Sequence, residues 1–142
     1  MIALDTNLLV YAHRARTPQH RRARKAIEQA ASTAAWGVSL SSVTEFWAVV
    51  THPLAEGQPS TPTEARAFVS ALIEAGAHIW QPGPGFAARV MQLAEELRIV
   101  GPRIFDLQIG LAAFEGGALE LWTHDARFAR VPGLRVLDPL GP

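Results

Sequence analysis

Residues 1–13, MIALDTNLLVYAH, place an aspartate between two apolar runs. The first run, at 2–4, predicts a short buried strand, and the segment at 6–13 predicts a helix. Asp5 therefore stands where a strand ends and a helix begins. An aspartate in this place can be a helix N-cap, because its carboxylate accepts hydrogen bonds from the free N–H groups of the first turn. The alternative is a metal ligand, which requires further acids in the same setting.

The rest of the chain repeats this alternation of short apolar strands and helices. The order favours a parallel sheet flanked by helices, because helices supply the crossovers that parallel strands need. No break in the pattern looks like a domain linker, so we predict one domain over residues 1–142. The predicted strands cover 2–4, 36–40, 78–80, 119–123 and 135–137, and the predicted helices cover 6–13, 18–31, 42–51, 62–75, 86–98 and 105–115.

The helix at 62–75 has the clearest boundary signals. Thr61 and Glu64 have the spacing of a capping box, and Pro62 occupies the first helical position, where its missing N–H costs nothing. Gly76 stands where a glycine commonly ends a helix.

The composition favours a cytoplasmic protein with an ordinary core. Of the 142 residues, 49% are hydrophobic and none is cysteine, which agrees with a reducing compartment and excludes disulfides and thiolate metal sites. No apolar run reaches the roughly 18 residues of a membrane helix, and the N-terminus does not resemble a signal peptide. We expect no membrane association.

The charge is balanced overall but unevenly distributed. The formal net charge is zero, so total charge does not indicate a nucleic-acid partner. The stretch at 13–26, however, carries six of the thirteen Lys and Arg residues. This basic cluster is either a solvated helix face or a surface for phosphate or an acidic protein.

Three of the four aspartates, including Asp5, stand where an apolar strand or loop is followed by a helical segment. Asp5, Asp106 and Asp125 each follow an apolar strand or loop, and Glu45 follows the second strand by one helical turn. Ligands of open parallel sheets bind at the carboxyl ends of the strands, where these four acids would meet. Taken singly, each aspartate can be an N-cap, and Glu45 has capping-box spacing from Ser42.

Taken together, the four acids favour a metal site over four separate caps. Crowded carboxylates repel and raise one another's pKa, so a cation is needed to neutralise them. Oxygen ligands of this kind select Mg²⁺ or Mn²⁺. Such an ion activates a bound water and stabilises charge on a phosphoryl oxygen, as phosphodiester hydrolysis requires. We therefore expect a metal-dependent nuclease, with either one metal ion or two.

The same residues resemble the PIN-domain ribonucleases and, within them, the VapC-type toxins of bacterial toxin–antitoxin pairs. The resemblance covers nearly the whole chain, from Met1 to the last strand. It is carried by Asp5-Thr6-Asn7, Glu45, Asp106 with the LQIGLAA that follows, and Thr123-His124-Asp125 before Phe128, with DTNLLVYAH and VVTHP as further local similarity.

The resemblance implies a three-layer α/β/α sandwich around a mainly parallel sheet and an endoribonuclease that uses Mg²⁺ or Mn²⁺. It also implies a homodimer and a small VapB-type antitoxin whose C-terminal segment fills the acidic groove. Asn7 and Thr123 would support the site by hydrogen bonding. The residues that would bind the metal and position the attacking water are Asp5, Glu45, Asp106 and Asp125.

Contact with an RNA substrate would depend on local arginines, because the net charge is neutral. The candidates are Arg14 and Arg16 in the basic cluster, with Arg103 and Arg127 closer to the acids in sequence. Each can equally be an ordinary surface arginine. Among the five histidines, only His124 is expected near the cleft, and the four tryptophans are expected mainly to pack in the core.

Three other functions are alternatives to this one. An aspartyl-phosphate phosphatase needs a second acid two residues after the first, and Asn7 cannot donate a proton in that role. A catalytically idle PIN-like interaction module is disfavoured because all four acids are present. A nuclease acting on DNA stays open, because the metal chemistry does not read the 2′-hydroxyl of RNA.

Overall fold

The computed structural model describes residues 1–33, 35–55 and 57–141. Within these ranges every strand and helix predicted with bounds is present, and none of those bounds differs by more than two residues from its prediction, whereas the helix expected after Asp125 is absent. The elements are β1 (Ile2–Leu4), α1 (Thr6–His13), α2 (His20–Ser32), β2 (Trp36–Ser39), α3 (Leu40–Thr51), α4 (Pro62–Glu74), β3 (His78–Trp80), α5 (Phe86–Glu96), a 3-10 turn (Gly101–Arg103), α6 (Ile104–Glu115), β4 (Glu120–Trp122) and β5 (Arg135–Leu137).

The strands form one parallel sheet in the order β3-β2-β1-β4-β5. The parallel sheet is thus confirmed. Because β4 pairs with β1 on the side opposite β2, the strand order reverses between β1 and β4. Open parallel sheets bind ligands outside the carboxyl ends of their strands at such a reversal. A ligand site is therefore expected at the segments that follow β1 and β4.

Helices cover both faces of the sheet, which confirms the three-layer α/β/α sandwich. Consecutive side chains of a strand point to opposite faces, and β1 accordingly contributes to both core layers. Leu4 packs with residues of α1, α2, α3 and α4, whereas Ala3 packs with residues of α5 and α6. Leu8 and Phe46 on the first side, and Leu107 on the second, are fully buried.

The boundary signals of α4 are confirmed. The Thr61 hydroxyl accepts a hydrogen bond from the Glu64 N–H, and the Glu64 carboxylate accepts one from the Thr61 N–H. Gly76 has a φ of +103°, a conformation that residues with a Cβ rarely adopt. No helix in the described ranges is both long and apolar enough to cross a membrane.

The alternative interpretation of Glu45 is wrong. Helix α3 begins at Leu40, so Ser42 lies inside the helix and forms no capping box with Glu45. Three of the four tryptophans are buried as expected, and the exception is Trp47 on α3, which is 41% exposed.

Candidate functional site

Asp5 occupies the end of β1 and caps α1. Its Oδ1 accepts a hydrogen bond of 2.7 Å from the Thr6 N–H, which confirms the predicted N-cap. Its own N–H donates to the Trp122 carbonyl oxygen on β4, at 2.9 Å. Only 7% of the residue is exposed. Capping α1 engages Oδ1 and leaves Oδ2 available to other partners.

Thr123 links the segments that follow β1 and β4. Its hydroxyl donates to Asp5 Oδ2 at 2.7 Å, and it accepts from Asn7 Nδ2 at 3.2 Å and from the Asp125 N–H at 3.0 Å. Asn7 Oδ1 in turn accepts from the His124 N–H at 3.4 Å. Both residues expected to support the site therefore take part in one hydrogen-bonded network with Asp5. The network exists because β1 and β4 are neighbours in the sheet.

Asp106 lies in the first turn of α6, as the third residue of the helix. The N-cap position belongs to Arg103, so the simple capping interpretation of Asp106 is wrong. One carboxylate oxygen accepts from the Ala129 N–H at 3.0 Å. This bond attaches the acid to the segment that follows β4, the same segment that contains Asp125.

Asp125 and Glu45 are the exposed acids of the group. Asp125 is followed by a turn and not by the expected helix, and its Oδ1 accepts from the Arg127 N–H at 2.9 Å within that turn. Glu45 projects from the second turn of α3. We call Asp5, Glu45, Asp106 and Asp125 the acidic cluster.

Two acids of the cluster, Asp5 and Asp106, have raised pKa values. Burial, with smaller contributions from the nearby Asp106 and Glu45 carboxylates, raises the pKa of Asp5 to about 6 against the opposing effect of its two hydrogen bonds. Burial also raises the pKa of Asp106, with added contributions from Asp125 and Glu45, while the Ala129 N–H and Arg103 lower it. Crowded carboxylates with raised pKa values are the arrangement that a bound cation relieves.

The donor chemistry of the acidic cluster fits Mg²⁺ or Mn²⁺, because all four side chains offer carboxylate oxygens. Among the described residues, however, no three Asp, Glu or His side chains are placed so that they would hold a metal ion as they stand. Asp5 and Asp106 are held by hydrogen bonds, whereas the Glu45 side chain is exposed.

Two of the candidate arginines meet beside the cluster. Arg103 donates to the Arg127 carbonyl oxygen at 3.2 Å, and both line a shallow cleft of about 360 Å³ with Arg130. The sequence interpretation missed Arg130, although its position five residues after Asp125 was a usable signal.

The other two candidate arginines lie elsewhere. Arg14 follows the last residue of α1, and the eight residues of this helix separate it from Asp5 by about 13.5 Å along the helix axis. Its guanidinium donates to the Val50 carbonyl oxygen at the end of α3. Arg16 is exposed beyond it. The structure thus brings Arg103 and Arg127 to the acidic cluster and does not bring Arg14 or Arg16 there.

The PIN-domain family model matches residues 2–134 of this chain. The chain belongs to the PIN-domain family. It is 34% identical to the VapC ribonuclease Mb2897 of Mycobacterium bovis and to ribonuclease VapC43 of Mycobacterium tuberculosis, over 99% of this chain and 96% of each relative. The family resemblance inferred from the motifs is confirmed.

Solved structures share the fold of this PIN domain. A toxin–antitoxin complex from Klebsiella pneumoniae matches with a TM-score of 0.68 and 23% identity over 100% of both chains. VapC20 of M. tuberculosis, described as a toxin that cleaves the sarcin-ricin loop, matches with a TM-score of 0.68 and 13% identity over 90% of this chain and 92% of that one. The sandwich with its parallel sheet is therefore the PIN fold.

Proposed function

We propose that this PIN domain is a Mg²⁺- or Mn²⁺-dependent endoribonuclease that acts as the toxin of a toxin–antitoxin pair. The observation that carries the proposal is the acidic cluster, in which carboxylates from four separate segments meet near the carboxyl ends of β1 and β4 and the pKa values of Asp5 and Asp106 are raised. The relatives named as VapC ribonucleases support RNA as the substrate. DNA is the alternative that the same chemistry would allow.

The acidic cluster would hold the metal ion, which would supply an activated water and stabilise charge on a phosphoryl oxygen. The protein's own contribution is orientation. Thr123 and the Thr6 N–H each hold one oxygen of Asp5, so this carboxylate cannot turn away from the crevice. The Ala129 N–H holds Asp106 in the same way. Partners of this kind commonly change metal affinity or activity by 10- to 100-fold.

The arginine cleft beside the cluster is suited to the phosphate backbone of RNA. Arg103, Arg127 and Arg130 line it together, and arginine forms paired hydrogen bonds with phosphate oxygens. Phosphate contacts fix the register of a nucleic acid without reading its sequence. A neutral protein can therefore bind RNA through this local positive surface.

The proposed partners are a VapB-type antitoxin and a second copy of the chain, encountered in the cytoplasm. Structures with this fold include VapBC2 of Rickettsia felis and a toxin–antitoxin complex of K. pneumoniae, which supports an antitoxin partner. Light scattering of the purified protein, alone and after coexpression with a candidate antitoxin, tests both partners. A monomer under all conditions would contradict both.

The function is tested by inducing the wild type and Asp106→Asn in bacterial cells and mapping new RNA 5′ ends. Glu95→Gln is the matched control, because it also neutralises a carboxylate but at an exposed position on α5. We expect new ends at a few sites with the wild type and the control, and none with Asp106→Asn. Equal maps from all three proteins would refute the assignment of Asp106.

A parallel experiment separates an enzyme from an idle module and RNA from DNA. Mn²⁺ binding is measured by calorimetry, and cleavage is followed on single-stranded RNA and DNA of one sequence. We expect Mn²⁺ affinity to fall strongly in Asp5→Asn and Asp125→Asn. Unchanged affinity in both variants would refute a shared metal site, and cleavage of DNA alone would refute the RNA assignment.

A further inference from the structure

A second cleft opens next to the acidic cluster, between the N-terminal turns of α3 and α6. Its volume is about 310 Å³, near the lower end of the range for small-ligand pockets. Glu45 belongs both to this cleft and to the acidic cluster. The lining residues are Ser41, Thr44, Glu45, Phe105, Gln108 and Ile109.

Helix geometry explains why these side chains face one another. Residues three or four positions apart lie on one helical face, so Ser41 and Thr44 share a face of α3, and Phe105 and Gln108 share a face of α6. Ile109 lies on the same side of α6 and is buried. Its carbonyl oxygen accepts a hydrogen bond of 2.7 Å from the Ser39 hydroxyl, which fixes α6 against the start of α3. The walls of the cleft are therefore held at a set separation.

Phe105 is an apolar side chain in an unusual place. It is 55% exposed, although its neighbours on α6, Leu107 and Ile109, are almost fully buried. It lines the cleft together with Glu45, a member of the acidic cluster. Unpaired RNA bases stack on aromatic rings, and the interaction tolerates any base because each has a π face.

The polar groups of the cleft complement the edge of a base. The Gln108 side chain is partly buried and makes no hydrogen bond to any residue in the described ranges, so both its donor and its acceptor are available. An amide offers this donor and acceptor side by side, as base recognition requires. The Thr44 hydroxyl donates to carbonyl oxygens of its own helix and retains its acceptor capacity.

We propose that this cleft binds one unpaired nucleobase of the substrate RNA beside the cleaved bond, with Phe105 stacking on the base and Gln108 bonding to its edge. The inference rests on the proposed ribonuclease function. A second copy of this chain is the other occupant that an exposed Phe105 could serve. The base is favoured because the cleft is small, combines one ring with an unpaired amide, and shares Glu45 with the acidic cluster.

The test uses Asp125→Asn as the parent, which we expect to bind RNA without cutting it, in buffer containing Mn²⁺. Fluorescence anisotropy measures its affinity for a short single-stranded RNA that the wild type cleaves. A matched series of RNAs carries an abasic ribose at each position around the cleavage site. Phe105→Ala, Phe105→Tyr and Gln108→Ala are added to the parent, with Leu119→Ala as an exposed apolar control just before β4, at the opposite end of the strands.

We expect Phe105→Ala to weaken RNA binding about tenfold, and Phe105→Tyr and Leu119→Ala to leave it within about twofold of the parent. Gln108→Ala should weaken the binding of RNA that carries the preferred base at the position bound in the cleft. It should have a smaller effect on the binding of RNA that carries another base at that position. One abasic position should weaken the parent about tenfold but cause no further loss in Phe105→Ala. This non-additivity is specific to a base that contacts the ring.

Two results would overturn the proposal while leaving the function intact. The first is additivity: the loss of RNA affinity caused by Phe105→Ala would add to the loss caused by the abasic ribose, whichever position is abasic. The second is unchanged RNA binding with a weakened dimer in sedimentation, which would identify the cleft as an interface between copies. If the wild type neither binds nor cleaves RNA with Mn²⁺, the proposed function itself fails and the inference falls with it.

Discussion

Replacing Asp5 with Asn should stabilise the metal-free protein, and more so at high pH. Folding raises the pKa of Asp5 from 3.8 to about 6, and each pH unit corresponds to about 1.36 kcal/mol. The folded state therefore binds more protons than the unfolded state between these two values, and stability falls as pH rises through that window. Above pH 6 the ionised Asp5 destabilises the fold by about 3 kcal/mol, an upper value from the same conversion.

The substitution also removes a hydrogen bond, which reduces the gain. The Asn side chain can still accept from the Thr6 N–H, but its amide nitrogen would face the Thr123 hydroxyl, which already accepts two hydrogen bonds. This loss costs about 1 kcal/mol and does not depend on pH. The expected net gain is about 2 kcal/mol at pH 8. The difference between variant and wild type should grow by about 1.4 kcal/mol from pH 5 to pH 8.

Urea unfolding followed by tryptophan fluorescence, in buffer containing EDTA at pH 5, 6.5 and 8, measures these differences. The control is Glu95→Gln, an exposed carboxylate, which should show no pH-dependent difference beyond about 0.5 kcal/mol. A gain for Asp5→Asn that is equal at all three pH values would refute the argument from burial. Adding Mn²⁺ at about 100 times its Kd should stabilise the wild type by about 2.7 kcal/mol and the variant by less.

Three further changes test other parts of the structure. Thr123→Val should lower Mn²⁺ affinity 10- to 100-fold by calorimetry, because it removes the hydroxyl that orients the first acid of the cluster, and Thr123→Ser should restore it. Arg130→Gln should reduce the slope of log binding constant against log salt concentration for RNA by about 0.7. The control Arg24→Gln should leave this slope unchanged, and equal slopes for the wild type and Arg130→Gln would contradict the phosphate contact. Gly116→Ala should lower the free energy of unfolding by about 1–3 kcal/mol, because its Cβ would lie 2.1 Å from Trp80 Cδ1, and an unchanged urea midpoint would contradict this.

Local signals in the sequence were enough to predict the elements of this protein. Hydrophobic period, capping residues and helix-ending glycines act between near neighbours, so they are visible without the fold. The capping box of Thr61 and Glu64 and the glycine at 76 illustrate this, because each works within one helical turn. The motifs around Asp5 and Asp125 likewise allowed the family to be inferred.

The tertiary structure decided which of these residues meet. The bond between Asp5 and Thr123 joins positions 118 apart and depends on β4 pairing with β1. Contacts between distant segments likewise place Arg103 near Asp106, whereas Arg14 contacts the end of α3.

The tertiary structure also decided which side chains are exposed, since it leaves Phe105 exposed and buries Asp5. Strand order and burial come from contacts between distant segments, which compete across the whole chain. A local sequence pattern does not show which of these contacts form. The secondary-structure elements and the candidate acids could therefore be inferred from the sequence, whereas the strand order and the contacts between the acids and their partners could not.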